Sequence, residues 1–279
     1  MLFYKKNVQV IEMLVPTFEE NVPRRDLEHI LYKIISVSQK GIKQTQIMYQ
    51  CNTSFKQLKD YLSKSIKYNY ITSEEGKKNT FYEATKKGGL FLTIFDFLNQ
   101  LYSTGKNETN KENKDPYVDG KLKSQVQAAL SSLTSINHYI ESLEFEKIDV
   151  LGSAHRSQYS IAEEMLNVAN NGTIKSNLMY RCNVSFKQLN KRLPIFMQNN
   201  LIEIKTDKEK ISCQTTDKGK VFAQSHRLIR YLMETGLDKD PFNDELIEKV
   251  KAALKPALSI DVPREAYLIA PKQLLTVKR

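Results

Sequence analysis

The sequence predicts a mainly α-helical protein with small β-hairpins, an α+β architecture in which one folding unit is built twice in tandem. Three observations carry that reading. A long segment returns at a constant spacing. Apolar residues in each copy recur at helical intervals, and in the first copy two short β-prone runs flank a polar, glycine-containing loop.

The repeat comes first because it organises the rest. GIKQTQIMYQCNTSFKQL, residues 41–58, returns as GTIKSNLMYRCNVSFKQL at 172–189, with ten of eighteen positions identical at an offset of 131. The same offset pairs Arg25 with Arg156, Ile30 with Ile161 and Val37 with Val168 upstream. Downstream it pairs Leu62 with Leu193, Asn69 with Asn200, Ile71 with Ile202, Lys77 with Lys208, Thr85 with Thr216, Gly88 with Gly219 and Phe91 with Phe222. An ungapped register of this length marks a duplication, with units near 24–104 and 155–235; 279 residues hold two domains of ordinary size.

Within the first copy, Leu27, Ile30, Leu31, Ile34 and Ile35 form one helical face that Gly41 ends. A second helix is expected from about Lys43 to Gln50. Asn52-Thr53-Ser54 then turns, and Ser54 caps a third helix running to about Lys67, with Leu58, Leu62 and Ile66 spaced for the core and Asn69 closing it. Tyr70-Ile71-Thr72 and Thr80 to Ala84 read as a two-stranded ribbon around the loop 73–79. Thr85 caps a fourth helix whose Leu90, Phe91, Ile94, Phe95 and Leu98 face inward.

Helix, helix, turn, helix and hairpin in that order resembles the archaeal winged helix-turn-helix families, including the archaellum-regulator-like group. The residues that carry the likeness are IMYQCNTSFKQLKDYL, YI and YEATKKGGLFL in the first copy, and LMYRCNVSFKQLNKRL, LI and CQTTDKGKVFA in the second. The resemblance spans each unit nearly end to end. It implies binding of double-stranded DNA, with a role in transcription regulation.

The remaining segments are a 1–23 N-terminal extension, a polar 105–118 linker, a 119–145 helix, a 240–255 helix and a 256–279 tail. VQVIEMLV and EAYLIA in the outer segments each suit a strand. Leu122, Val126, Ala129, Leu133, Ile136, Ile140 and Leu143 follow a 4-3 alternation, the seam of a coiled coil. Some small basic archaeal DNA-binding proteins dimerise through such a helix. That resemblance makes a second copy of this chain a candidate partner, while the echo of KDPYVDGKLKSQVQAALSSL in KDPFNDELIEKVKAALKPAL lets the two helices pair inside one chain instead. Pro256 is expected to break or kink the later helix.

The chain has a net charge of +10 and a pI of about 9.2, a balance that favours a polyanionic partner. Residues 24–104 and 155–235 each net +6, so the excess sits on the repeated units. In a helix-turn-helix the third helix enters the major groove and its first residues reach base edges. The expected DNA contacts there are Ser54, Lys56, Gln57, Lys59, Asp60 and Lys64, with Ser185, Lys187, Gln188, Asn190 and Lys191 in the second copy. Gln57 and Gln188 suit paired hydrogen bonds to adenine, and Lys56 suits guanine or phosphate. Lys43, Thr45 and Gln46, with Lys175, Ser176 and Asn177, open the second helices, where hydroxyls and exposed amides hold phosphates. The wings add Lys77 and Lys78, and Lys208 and Lys210, yet Glu74, Glu75, Asp207 and Glu209 bring their net charge near zero. Phe55 and Phe186 are read as core or groove-edge packing, and Tyr49 and Tyr180 as half-buried. Pro194, where the first copy has Ser63, is expected to end the second reading helix early and leave the first unit the better reader.

Other functions are harder to support. No phosphate loop, metal cluster or nucleophile with an evident base points to an enzyme, and no cofactor or metal is expected. No C-x-x-C pair is present; Cys51, Cys182 and Cys213 suit buried structural thiols, with a redox switch as the alternative for the paired Cys51 and Cys182. No apolar run reaches membrane-spanning length and no signal peptide is evident, so a cytoplasmic, nucleoid-associated location with no membrane partner is expected. Two other roles fit the same fold: a protein-interaction scaffold and a sequence-neutral chromatin architectural protein.

Overall fold

The computed structural model describes residues 26–76, 79–103, 120–143, 156–207, 210–236 and 240–258. In the first copy α1 (Leu27–Val37) starts at Asp26, whose carboxylate accepts from the His29 amide at 3.0 Å. A 3₁₀ turn, Ser38–Lys40, leads to Gly41 at φ 69°, a left-handed conformation that glycine takes without a Cβ clash. Then follow β1 (Ile42–Lys43), α2 (Gln44–Cys51), α3 (Phe55–Lys67), β2 (Ile71–Glu75), β3 (Thr80–Ala84) and α4 (Lys86–Ser103). After α5 (Gly120–Ser142) the second copy repeats the order as α6 (Gln158–Val168), α7 (Lys175–Arg181), α8 (Phe186–Gln198), β4 (Ile202–Asp207), β5 (Lys210–Thr215) and α9 (Asp217–Glu234); α10 (Asp244–Leu258) follows.

The retained residues explain why both copies fold alike. Asn52 and Asn183, and Asn69 and Asn200, all lie at φ between 46° and 59°, ending α2 or α7 and α3 or α8 in the left-handed turn that asparagine tolerates. Thr85 accepts from the Gly88 amide at 3.0 Å and donates to the Asn69 carbonyl at 2.6 Å; Thr216 does the same with Gly219 (3.1 Å) and Asn200 (2.6 Å). A Cβ on Gly88 would sit 2.2 Å from the Tyr70 carbonyl oxygen, and one on Gly219 2.2 Å from that of Leu201. The closing helix of each unit therefore lies directly on the backbone that enters the hairpin.

Several local expectations change. The ribbon gains a third strand in the first copy: β2 and β3 pair from Ile71↔Ala84 to Glu75↔Thr80, and β1 joins β3 through Ile42↔Tyr82 because Ile42 is buried there. The second copy keeps only an isolated bridge, Thr173↔Cys213, beside β4–β5. Ser73 to Glu75 belong to β2, so the first wing loop shortens to 76–79, closed by the Gly76 amide on the Asn79 carbonyl at 2.9 Å. Lys43 falls in β1, and α2 starts one residue later. Ile66 is half-buried while Ser65 is buried and donates to the Tyr61 carbonyl at 2.8 Å.

Neither proline ends its helix at that residue. Pro194 lies inside α8, which at 13 residues equals α3, and is buried like Leu189, Leu193 and Phe196 of the same helix. Its missing amide costs one helical bond without shortening the helix. Pro256 falls in the last turn of α10, which continues to Leu258.

One apolar core runs through both copies. α4 packs on α9. α5, which follows the first unit, packs on α9 of the second and on α10; α10, which follows the second unit, packs back on α4 of the first. Each trailing helix thus seals the other unit. Val126, Ala129, Leu133 and Ile140 of the predicted seam are buried, and Asn137 donates to the Gln224 carbonyl at 3.1 Å and its side-chain oxygen at 2.6 Å. The seam packs within the chain, on α9 and α10, which is one of the two pairings the sequence allows; the Leu122 side chain lies outside the described residues, as do both outer strands and the 105–118 linker.

The two units meet along α1, α4, α6 and α9. His226, 2% exposed, places Nδ1 2.7 Å from Glu163 and Nε2 3.2 Å from Glu28, and Ser157 donates to Glu28 at 2.9 Å. Nearby, Tyr159 stacks among His29, Phe95, Tyr102 and Phe222, and its hydroxyl donates to Asn99. Lys87 spans the units as a buried cation, donating to the Thr235 carbonyl at 3.0 Å and pairing with Asp240 at 2.9 Å. Among the described residues, no helix is long and apolar enough to cross a membrane.

Candidate nucleic-acid interface

The third helix of each unit opens with the same device. Ser54 accepts from the Gln57 amide at 3.3 Å, while Gln57 Oε1 accepts from the Ser54 amide at 3.3 Å and its hydroxyl at 3.0 Å. In the second copy Ser185 accepts from the Gln188 amide at 3.2 Å and its own amide donates to Gln188 Oε1 at 2.9 Å. Each is a capping box, satisfying amides that the first helical turn leaves without partners. An adenine-reading glutamine uses both its carbonyl oxygen and its amide, so such a contact competes with the cap.

The outward face of α3 presents Lys56, Gln57, Lys59, Asp60 and Ser63 to solvent, with Lys64 half-buried and paired to Asp60 at 3.0 Å. On α8 the face carries Lys187, Gln188 and Lys191, while Asn190 is half-buried. Lys191 occupies the repeat position of Asp60, so α8 has a cation where α3 has an internally neutralised pair. With α8 full length, the premise that the first unit reads better is gone.

At the entrance to the second helices, Thr45 and Gln46 are exposed, as are Ser176 and Asn177. Gln46 accepts from the Lys43 amide at 3.2 Å. Lys43 is half-buried with Nζ 5.7 Å from the Phe81 ring centre, and Lys175 likewise lies 5.7 Å over Phe186. Burial pushes the Lys175 pKa down. A polar cleft between Lys43, Thr45, Glu75 and Thr80 separates the start of α2 from the wing. Lys77, Lys78 and Lys208 lie outside the described residues; Lys210 begins β5, and its side chain also lies outside them.

One known family, described as winged helix-turn-helix, matches the chain twice, at residues 24–103 and again at 155–234, more than half of its length. The chain belongs to the winged helix-turn-helix family. No curated protein and no solved structure matched it. Winged helix-turn-helix domains generally bind DNA and are typically non-enzymatic; α3 and α8 hold the third-helix position of that fold, and β2–β3 and β4–β5 the position of its wing.

Within these winged helix units, Tyr49 and Tyr180 are not half-buried as expected, and of the two placements open to Phe55 and Phe186 the core is ruled out. Tyr49 and Tyr180 are 77% and 76% exposed, and Phe55 and Phe186 are 60% and 64% exposed. Helical spacing alone puts Phe55 three residues before Leu58 and hence on the core side. It stands in the first turn of α3, however, and the buried side chains of that helix begin only at Leu58. Tyr49 lies midway between the buried Ile47 and Cys51 and so points away from both. The thiols follow expectation: all three cysteines are buried, and burial pushes Cys182 up to about 11, which keeps it a thiol at neutral pH. Among the described residues, no group of three or more His, Cys, Asp or Glu side chains could hold a metal ion.

Proposed function

We propose that this protein binds double-stranded DNA as a transcription regulator, reading it with two pseudo-symmetric winged helix units. The observation that carries the reading is where the charge lies. Each unit nets +6, the rest of the chain nets −2, and both reading helices open outward with the same Ser-Phe-Lys-Gln. Cations concentrated on the groove-facing elements displace counterions from phosphate, which supplies affinity; side chains in the groove then supply selectivity. Lys56 and Lys187 stand at the groove mouth. Thr45, Gln46, Ser176 and Asn177 are exposed where helix-two hydroxyls and amides meet phosphate, and Lys59 and Lys191 extend the cationic face along the reading helices.

Sequencing the duplex fragments retained by the full chain from a random pool, at two salt concentrations, tests this. A regulator keeps a narrow set of related sequences, with affinity falling log-linearly in salt. Even retention of all sequences would instead support an architectural role, and absence of any salt-dependent binding would support a protein-interaction scaffold. Lys43→Ala and Lys56→Ala are expected to weaken binding on every sequence and to flatten the salt slope by about 1 for each phosphate left without its lysine.

A further inference from the structure

The duplication supplies an internal comparison that separates residues kept for folding from residues kept for something else. From 48 to 58, nine of eleven positions are identical in the two copies. Structure accounts for most of them. Cys51 and Leu58, with Cys182 and Leu189, are buried in the core, and Met48 and Met179 pack against it. Asn52 and Asn183 adopt the left-handed turn; Ser54 with Gln57, and Ser185 with Gln188, form the capping boxes.

Three pairs remain that the fold does not require: Tyr49 and Tyr180, Phe55 and Phe186, Lys56 and Lys187, all exposed. The lysines suit phosphate. The tyrosines project from the second helix, which crosses the DNA backbone in this motif, where a phenol hydroxyl donates to a phosphate oxygen. The phenylalanines have no polar atom to offer, and both rings are mostly exposed in the free protein, that of Phe186 with Lys175 over it. They stand in the first turn of the reading helix, the turn that meets base edges. The apolar group displayed on the floor of the major groove is the C5 methyl of thymine.

We infer that Phe55 and Phe186 are specificity-determining residues that pack on thymine methyl groups, one in each half of a bipartite site. The inference rests on the DNA-binding reading above and adds the base that is read and the atoms that read it. It also assigns the sequence preference to the phenylalanines, leaving Gln57 and Gln188 to hold the helix ends that aim them.

The test uses the retained duplex fragments, prepared once with thymidine and once with deoxyuridine, which lacks only the C5 methyl. The full chain is expected to bind the thymidine duplex more tightly by about fourfold for each methyl buried, so on the order of tenfold with both units engaged. Phe55→Ala with Phe186→Ala should bind both duplexes alike, at the level the unaltered chain shows on deoxyuridine, and Phe55→Leu with Phe186→Leu should keep part of the preference. Because both rings are exposed, the thermal melting of these variants should match the unaltered chain. Equal binding of both duplexes by the unaltered chain would overturn the inference. So would a thymidine preference that survives in the alanine variant, or an alanine variant that loses the same factor on both duplexes, as a ring wedged between base pairs would. Absence of binding to either duplex at low salt would instead sink the DNA-binding reading itself, and this inference with it.

Discussion

The outward faces of the two units and the surfaces where the units meet have had opposite histories since the duplication. Outward, the turn and first helical turn of the reading element are almost unchanged. Inward, equivalent positions have become chemically unlike. Phe95 occupies the repeat position of His226, Tyr32 that of Glu163, and Tyr159 that of Glu28. On one side of the pseudo-symmetry axis Phe95 therefore stacks on Tyr32 at 4.7 Å and meets Tyr159 edge-on at 5.5 Å. On the other, the same three positions form the buried ion cluster Glu28–His226–Glu163, ringed by Arg227 and Arg230. Two identical units would make the same contact twice and could pair with themselves in another chain. Once one contact is aromatic and the other ionic, a unit finds its complement in its own chain, because pairing like with like buries unpaired carboxylates. The outward surface has stayed nearly the same in both copies, while the internal surface has specialised.

The sharpest way to break this comparison is to make the ionic side half-aromatic. His226→Phe, copying Phe95, leaves Glu28 buried without its cation and Glu163 with only Arg227 and Arg230, at 3.9 and 3.6 Å, and should cost about 3–5 kcal/mol in urea unfolding at neutral pH. One oxygen of Glu28 is already buried without a hydrogen bond. Adding Glu28→Tyr and Glu163→Tyr should recover a substantial part of that loss. If His226→Phe alone is neutral, the ionic half does not hold the units together.

Titration asks the same question without mutation. Burial alone would lower the His226 pKa, but the Glu28 charge and the hydrogen bonds with Glu163 and Glu28 overcome it and raise it to about 9. Burial would likewise raise Glu163, yet its hydrogen bond with His226 and the charges of His226, Arg230 and Arg227 hold it below the usual carboxylate range. A histidine raised in the folded state contributes its full stabilisation below the unfolded value of about 6.5 and loses it as pH rises through 9. The depressed carboxylate contributes above its unfolded value and loses it on acidification. Relative to His226→Phe, the unaltered chain should therefore lose on the order of 3 kcal/mol of its advantage between about pH 6.5 and above pH 9. A difference between the two that stays constant across that window would count against the charged imidazole.

Gly88→Ala and Gly219→Ala sharpen the other side of the comparison, since both copies use the same close approach. Each added methyl meets a carbonyl oxygen, and each should destabilise by about 1–3 kcal/mol. The two thermal-melt shifts should be alike, and a large inequality would mean that the units no longer share this seat. The smallest effect is expected from Gln57→Ala with Gln188→Ala, which removes the reciprocal half of each capping box at less than about 1 kcal/mol per helix. In DNA binding this pair should lower affinity by a similar small factor on every sequence, since both glutamines are engaged in the caps. A loss confined to particular sequences would show that the glutamines also read bases.

What could be read along the chain follows from local physics. The register of the duplication, the helical faces, the serine and threonine caps and the left-handed asparagine and glycine turns are all set by residues close together in sequence, and those predictions agree with the fold. Pro194 was misjudged because the lost hydrogen bond is local while the buried place the residue fills is set by tertiary packing. The 4-3 seam of α5 was visible, but the surface it covers was not, since the same stripe fits a second chain or its own. Phe55 fitted either the core or a groove edge because periodicity gives direction around a helix without saying where the core ends.

The sequence by itself determined that there are two units, what each is made of, and which helix faces outward, because spacing and capping act over a few residues. Only the tertiary structure decided how the halves join: that each trailing helix seals the opposite unit, and that one side of the junction is ionic and the other aromatic. Those contacts link residues such as Glu28 and His226, far apart along the chain, and no local pattern encodes which distant surface an apolar stripe or a buried charge will meet.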